Sequence, residues 1–231
     1  MQNFIIYAGI IYKLTLLFCY SGDTMKKIIS SKVSCDEELL ELCERLSRLN
    51  IDCTIESKGN HVKIYVFGYD KDSLNENYRA VMNLMDKVRK KYRKDREGLY
   101  EYSLSELKYP VNKNLVIDAL KTLGYRVIYL EDENAIKTNV DINKFNEILK
   151  DLNELYQELR FSNLGSKPVK NLVVLVSYIT KKPIDDVIEE ALEKGFFREE
   201  EGRIVLNKDI NLAKKVLLEG EDGDKDIGEK G

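Results

Sequence analysis

The segment IKTNVDIN at residues 136–143 returns without a gap as IVLNKDIN at residues 204–211. In each copy a short run typical of a strand leads into an aspartate and an isoleucine. An aspartate in this place caps a helix, because its carboxylate accepts the unsatisfied amides of the first helical turn. The sequence therefore predicts that a strand enters a helix twice, with Asp141 and Asp209 as the caps.

The residues upstream extend each copy to a helix-hairpin-helix unit. Ala119–Leu120 precede Gly124–Tyr125, and Ala191–Leu192 precede Gly195–Phe196, although the spacing differs by one residue and the hairpins by three. A glycine after an apolar helical pattern favours a left-handed cap at the end of the helix. The predicted units span 112–160 and 184–218. Duplication and convergence on the same capping residues are both left open.

The residues before the repeat follow strand and helix patterns in the order β-α-β-β-α-β. The first strand is followed by helical spacing over 36–49, a hairpin over 51–67, a helix of about 20 residues and a strand over 99–104. This is the order of the ferredoxin-like fold, which serves RNA-binding, regulatory and enzymatic proteins alike. We therefore predict a ferredoxin-like domain over 25–107.

The last part of the chain has the element order of a winged-helix domain. Counting the helix from Asp141 as the first, a helix over 169–179 and a helix ending at Lys194 precede a wing-like hairpin over 196–206. The predicted fold class is α+β. The predicted domains are the ferredoxin-like domain at 25–107, the helix-hairpin-helix unit at 108–162 and the winged-helix-like module at 163–218, which shares the helix of 141–160.

Both ends of the chain fall outside these domains. Residues 4–20 are largely apolar, but they are near the lower limit for a membrane span and carry Lys13 in their middle. For 1–24 we consider a start assigned upstream of Met25, an anchor or signal, and an added core element. Residues 219–231 hold six acids and two bases, which predicts a disordered, solubilising tail.

The composition excludes several classes of site. The 231 residues include four cysteines without a C-x-x-C pair and one histidine, so we expect no metal site. Signatures of phosphate loops, dinucleotide folds, nucleophile elbows and zinc proteases are all missing from the sequence. We therefore predict no cofactor and no catalytic residue, leave enzyme activity unsupported, and expect a cytoplasmic protein.

A basic segment at 87–96 is the densest charge feature of the chain. It holds seven bases and one acid, and the bases are Lys87, Arg89, Lys90, Lys91, Arg93, Lys94 and Arg96. Because Val88 and Tyr92 lie on the apolar seam of the helix, we expect the bases to spread over its exposed surface and neutralise phosphates. The alternative is a solvated helix end, where cations suit the helix dipole.

The strand over 61–67 adds a second indication of nucleic-acid binding. Its alternation places Lys63, Tyr65 and Phe67 on the face opposite the core. A base beside two aromatic side chains on an open sheet face is how some RNA-binding domains stack unpaired bases. RNA is therefore the expected partner, unless the C-terminal domain covers these aromatic side chains.

An acidic helix in the C-terminal module argues against DNA. Its exposed face carries Asp185, Asp186, Glu189, Glu190 and Glu193. A helix of this charge would be repelled by the phosphates of a major groove. These residues instead support an alternative function, which is binding to a basic protein partner. A small-molecule-sensing ferredoxin-like domain is a third alternative.

The residues ALKTLGY at 119–125 and IEEALEKGF at 188–196 resemble an archaeal family defined only as a domain of unknown function. The resemblance covers the chain from Met25 to about Glu219 and leaves out the first 24 residues. It implies no activity and no site residues. The high charge and scarcity of glutamine are likewise typical of a hyperthermophile.

Overall fold

The computed structural model describes residues 25–159 and 162–219. The predictions made for residues 1–24, and for the tail beyond Glu219, lie outside the described residues. The chain divides into two compact units, one up to Met85 and the other from Asp86. Both combine helices with small antiparallel sheets, so the α+β class is confirmed.

The first unit is a three-stranded sheet with helices. Its elements are β1 (Met25–Lys32), α1 (Asp36–Arg48), β2 (Cys53–Lys58), β3 (His61–Gly68) and α2 (Lys71–Tyr92), whose last turns belong to the second unit. The strand order is β1-β3-β2, and both pairings are antiparallel. Val62, Ile64 and Val66 are at most 1% exposed, so the inner face of β3 lies in the core with the apolar seams of both helices.

The fourth strand of the predicted ferredoxin-like domain is absent from this sheet. That strand, β4 (Tyr100–Ser103), pairs with another strand in the second unit. Tyr102 explains the choice, because its ring stacks on Phe145 at 4.2 Å between centroids and its hydroxyl donates to the Val140 carbonyl at 2.7 Å. The prediction of a complete ferredoxin-like sheet over 25–107 is therefore corrected to three strands.

The second unit contains both predicted helix-hairpin-helix copies. Its further elements are α3 (Lys113–Thr122), β5 (Val127–Leu130), β6 (Ala135–Thr138), α4 (Ile142–Glu158), α5 (Lys167–Thr180), α6 (Ile184–Glu193), β7 (Phe197–Glu200), β8 (Arg203–Leu206) and α7 (Ile210–Glu219). The strands form a sheet of order β4-β6-β5 and the hairpin β7-β8. Helix α3 begins three residues after Pro110, because Asn112 caps it by accepting a hydrogen bond from the Asn114 amide at 2.9 Å.

Helix α5 lies at the centre of the second unit. It contacts α3 and α4 of the first copy and α6 and α7 of the second. Its residues from Leu172 to Tyr178 are all buried, and they belong to one apolar core that extends from Tyr102 to Leu217. The two copies therefore share a core and do not form separate ones.

The segment Asn163–Ser166, at the start of the predicted winged-helix-like module, also takes part in this core. Leu164 is 5% exposed and forms a parallel bridge with Ile204 of β8. The Gly165 amide donates to the Ile204 carbonyl at 2.8 Å, and the Ile204 amide donates to the Asn163 carbonyl at 2.9 Å. The segment thus connects α4 to the later hairpin by backbone hydrogen bonds.

The two copies begin their second helices in the same way. Asp141 Oδ1 accepts hydrogen bonds from the amides two and three residues further on, both at 3.0 Å. Asp209 Oδ1 accepts the equivalent pair at 2.9 and 3.0 Å. The predicted capping roles of both aspartates are confirmed.

The two copies differ in length at one point before the hairpin. Gly124 and Gly195 both have positive φ, at 83° and 68°, and both bond to the carbonyl three residues before them. When the two glycines are aligned, Leu120 corresponds to Ala191. The sequence comparison had instead aligned Ala119 with Ala191, which is a difference of one residue. The first paired strand residue then comes three residues after Gly124 but two after Gly195. Arg126 is the extra residue of the first copy.

Candidate nucleic-acid interface

The outer face of the first sheet, defined as the side that carries Tyr65, consists of ordered rows of side chains. Residues directly paired across antiparallel strands project to the same side. The rows, read from β1 through β3 to β2, are Lys32–His61–Lys58, Ser30–Lys63–Glu56 and Ile28–Tyr65–Thr54, followed by the pair Lys26–Phe67. The outer face is therefore basic at one end and apolar and aromatic at the other.

The aromatic end presents three side chains to a ligand. Ile28 is 51% exposed, and Tyr65 and Phe67 are half-buried on the central strand. The Tyr65 hydroxyl donates to Glu56 Oε2 at 2.9 Å, and this hydrogen bond to a carboxylate raises the pKa of the phenol. The bond holds the edge of the Tyr65 ring and leaves its face for contact.

The outer face is positively charged, and three of its four lysines lie in the rows of the basic end. The strand residues of this face include four lysines and one glutamate, a net charge of +3 with histidine neutral, and the lysines are Lys26, Lys32, Lys58 and Lys63. Lys63, Tyr65 and Phe67 thus lie on one face, where the alternation of β3 predicts them. The alternation within β3 could not find Lys26 and Lys32, because their positions depend on pairing with a distant strand.

The inner face differs because helix α2 covers it. Lys27, between two outer-face positions, donates to Asn75 Oδ1 at 2.6 Å and lies 4.8 Å from the centroid of the Tyr78 ring. A Cβ on Gly68 would come within 2.7 Å of Leu74, so strand and helix approach closely at this point. Within the described part of the first unit, the outer face carries no helix of that unit.

The basic segment is partly neutralised by acids of the second unit. The ion pairs are Arg89–Asp86 at 3.3 Å, Lys90–Glu101 at 2.7 Å and Lys91–Glu106 at 3.6 Å. Lys87 is exposed, whereas Arg93 is half-buried just after the end of α2. The prediction that all seven bases spread over an exposed surface is corrected, because β4 and the turn after it bring acids beside the helix.

The single acid of the segment, Asp95, organises the loop at 93–98. Its Oδ1 accepts hydrogen bonds from the Glu97 amide at 2.8 Å and the Leu99 amide at 3.0 Å, and its Oδ2 lies 2.9 Å from Lys137 Nζ. The Lys137 ammonium, followed by the Leu99 amide, lowers the pKa of Asp95. The negative charge of Asp95 is thus compensated by Lys137 and the loop amides, and it does not neutralise the exposed bases of the loop.

Three exposed bases lie on or beside this loop. Lys94 is exposed with its Nζ 5.5 Å from the Tyr100 ring centroid, and Arg96 is exposed and forms no ion pair with a residue in 25–159 or 162–219. Arg126 Nη1 donates to the Glu97 carbonyl at 3.3 Å. Arg126 was missed from the sequence, where the only signal was the unequal length of the two copies.

The acidic helix α6 exposes most of its carboxylates. Asp185, Asp186, Glu189 and Glu193 are exposed. Glu190 is half-buried between Lys182 at 2.6 Å and Lys194 at 2.8 Å, and these two ammonium groups lower its pKa. Glu190 therefore acts within the fold, and the hypothesis of a basic protein partner is left to the other four carboxylates.

Other kinds of site receive less support. Among the described residues, no group of three or more His, Cys, Asp and Glu side chains could hold a metal ion. An open groove of about 450 Å³ lies in the second unit, lined by Thr122, Ile179, Asn211, Lys214, Lys215, Leu218 and Glu219. In the same part of the chain, every helix is too short or too polar to cross a membrane.

Comparison with known proteins places the chain among archaeal sequences. Residues 31–215 match the family described as "Uncharacterized protein conserved in archaea (DUF2067)". An uncharacterized protein of Methanocaldococcus jannaschii is 85% identical over 206 residues, which cover 89% of this chain and 100% of that protein. An uncharacterized protein of Methanococcus vannielii is 47% identical over 202 residues, which cover 84% of this chain and 98% of that protein. No solved structure matches the chain. The chain therefore belongs to this family of proteins conserved in archaea.

Proposed function

We propose that the protein binds RNA through unpaired bases on the outer face of the first sheet. The observation that carries the proposal is the arrangement of its rows, which place two aromatic side chains on the central strand beside a basic end. Proteins that bind single strands combine aromatic platforms with positive charge along the backbone path. The proposal assigns no catalytic step.

The spacing of the two aromatic side chains suits successive nucleotides. Tyr65 and Phe67 are two positions apart on one strand, a separation of about 6.6 Å at the usual rise per residue. Two unstacked bases could each lie on one ring, with Ile28 extending the apolar surface. Lys63, in the row on the other side of Tyr65, would then meet the phosphate that flanks this pair of nucleotides.

The basic segment supplies a second region of positive charge in the other unit. Its exposed bases Lys87, Lys94 and Arg96 are independent of the sheet face and would contact phosphates without reading bases. The proposed function therefore separates two contributions. Stacking on the outer face requires unpaired bases. Binding of phosphates by the basic segment instead weakens as the salt concentration rises.

The test measures binding of the full chain to a fluorescent single-stranded RNA. Each stacked base contributes about 1–3 kcal/mol, so Tyr65→Ala with Phe67→Ala should weaken binding at least about tenfold. Tyr65→Phe keeps the ring and loses only the hydrogen bond to Glu56, so it should bind close to wild type. A double variant that melts like wild type and binds the RNA equally well would refute the proposal.

A further inference from the structure

We infer that Lys94, Arg96 and Arg126 form a phosphate-binding cluster on the second unit that contacts the backbone of an RNA ligand. The inference adds a residue outside the basic segment and assigns it a role. It takes from the proposed function only the identity of the natural ligand.

The loop that carries two of these bases has a fixed backbone. Besides the side-chain bonds of Asp95, the Asp95 amide donates to the Leu99 carbonyl at 2.8 Å and the Gly98 amide donates to the Asp95 carbonyl at 3.1 Å. Gly98 adopts a φ of 78°, which suits glycine. Lys94 and Arg96 thus project from an ordered turn, which lowers the entropy lost on binding.

Arg126 is held at two points, one of which is on this loop. Its backbone amide donates to Asn139 Oδ1 at 3.0 Å, and its guanidinium donates to the Glu97 carbonyl at 3.3 Å. A guanidinium has five N–H donors, so the contact with Glu97 leaves donors for a phosphate. The side chain is exposed, and these donors are accessible.

The comparison of the two copies gives independent support. The second copy passes directly from Phe196 to Phe197, which are 5% and 2% exposed, while the first copy inserts Arg126 between Tyr125 and Val127. The second copy forms its hairpin and caps its second helix without a residue at this place. Its insertion beside the loop at 93–98 brings a third base to two that were already exposed.

The charges around the cluster favour an anion. The charges of Lys137 and Asp95 cancel across a distance of 2.9 Å, so this pair does not change the net charge around the cluster. Glu97 is the remaining acid of the loop, and it stands against the three bases. A net charge of +2 at one ordered turn suits a phosphodiester backbone, which carries one negative charge per nucleotide.

The experiment compares two triple variants of the full chain on two probes. The cluster variant is Lys94→Gln, Arg96→Gln and Arg126→Gln. The control variant is Lys121→Gln, Lys150→Gln and Lys215→Gln, which removes the same charge from exposed positions of the second unit. The probes are a single-stranded RNA and an abasic oligodeoxynucleotide, which keeps the phosphates and lacks the bases.

The measured quantity is the slope of log affinity against log salt concentration. Each lost contact to a single strand should reduce the slope by about 0.7, so the cluster variant should lose about 2 on both probes. The control variant should keep the wild-type slope. Equal slopes for the cluster and control variants, with unchanged melting temperatures, would overturn the inference.

The abasic probe separates this inference from the proposed function. Tyr65→Ala with Phe67→Ala should weaken binding to RNA and leave binding to the abasic probe unchanged. If that variant binds both probes like wild type while the cluster variant loses slope, the sheet-face proposal fails and the phosphate cluster stands. If only the sheet-face variant weakens RNA binding, the cluster fails alone.

Discussion

At the scale of single residues, the acid within the basic segment has an unexpected role. Asp95 reduces the formal charge of the segment, but its carboxylate is bound to two amides and Lys137. Sequence alone could not show this, because Lys137 lies 42 positions away. The acid therefore orders the loop that displays Lys94 and Arg96.

We predict that Asp95→Asn destabilises the protein more at neutral pH than in acid. The pKa of Asp95 is lowered in the fold, so its stabilisation is present above the unfolded value of about 3.9 and is lost as pH falls through the folded value. Thermal unfolding at about pH 7 and about pH 2 measures the difference between wild type and variant. It should be larger at the first pH than at the second.

Glu97→Gln is the matched control for this prediction. It removes a carboxylate from the same exposed loop, but the contacts of Glu97 with Asp95 and Arg126 come from its backbone. Equal melting temperatures for the Asp95 and Glu97 variants at neutral pH would contradict the role assigned to Asp95.

At the scale of elements, the two helix-hairpin-helix copies use the same local chemistry. Both have a glycine with positive φ after the first helix and an aspartate cap before the second. These signals involve neighbouring residues, which is why the sequence predicted them. The pairing partner of β4 could not be predicted in this way, because the strand pattern of β4 does not indicate which sheet the strand joins.

We predict that Asp141→Ala and Asp209→Ala each lower the free energy of unfolding by about 0.5–2 kcal/mol, because each leaves two amides of a first turn without an acceptor. Urea denaturation measures the loss. Asparagine caps helices about as well as aspartate, so Asp141→Asn and Asp209→Asn should restore most of the stability. Alanine and asparagine variants of equal stability would rule out capping as the cause.

The same distinction between local and distant information explains what could be predicted of the candidate site. The alternation of β3 places Lys63, Tyr65 and Phe67 on one face, and the tight turn after Lys58 sets the pairing with β2. The pairing with β1 joins residues 29 to 43 positions apart, so Ile28 could not be placed beside Tyr65. Of the acids that neutralise part of the basic segment, Glu101 and Glu106 could not be placed because their contacts depend on where β4 pairs.

At the scale of the whole molecule, the second unit depends on one central helix. The sequence predicted the order of its elements but treated the two copies as parts of separate modules. Helix α5 is apolar around most of its circumference, a pattern typical of a helix buried on several sides. Both copies bury their apolar faces against it, so neither has a complete core alone.

We predict that Leu175→Ala in α5 lowers the free energy of unfolding by about 2–5 kcal/mol, since the side chain is 2% exposed and its loss leaves a cavity. Hydrogen exchange should accelerate in α3 and α4 and in α6 and α7 together. Leu212→Ala, at a side chain that is 50% exposed, should change stability by less than about 0.5 kcal/mol. Faster exchange in only one copy would show that the copies fold independently.

The extra residue of the first copy has a consequence for the equivalence of the two copies. Arg126 belongs to the first copy alone, so its guanidinium contact with the Glu97 carbonyl has no counterpart residue in the second copy. The two copies are therefore not interchangeable as binding surfaces, and a ligand that relies on this guanidinium would meet the first copy only.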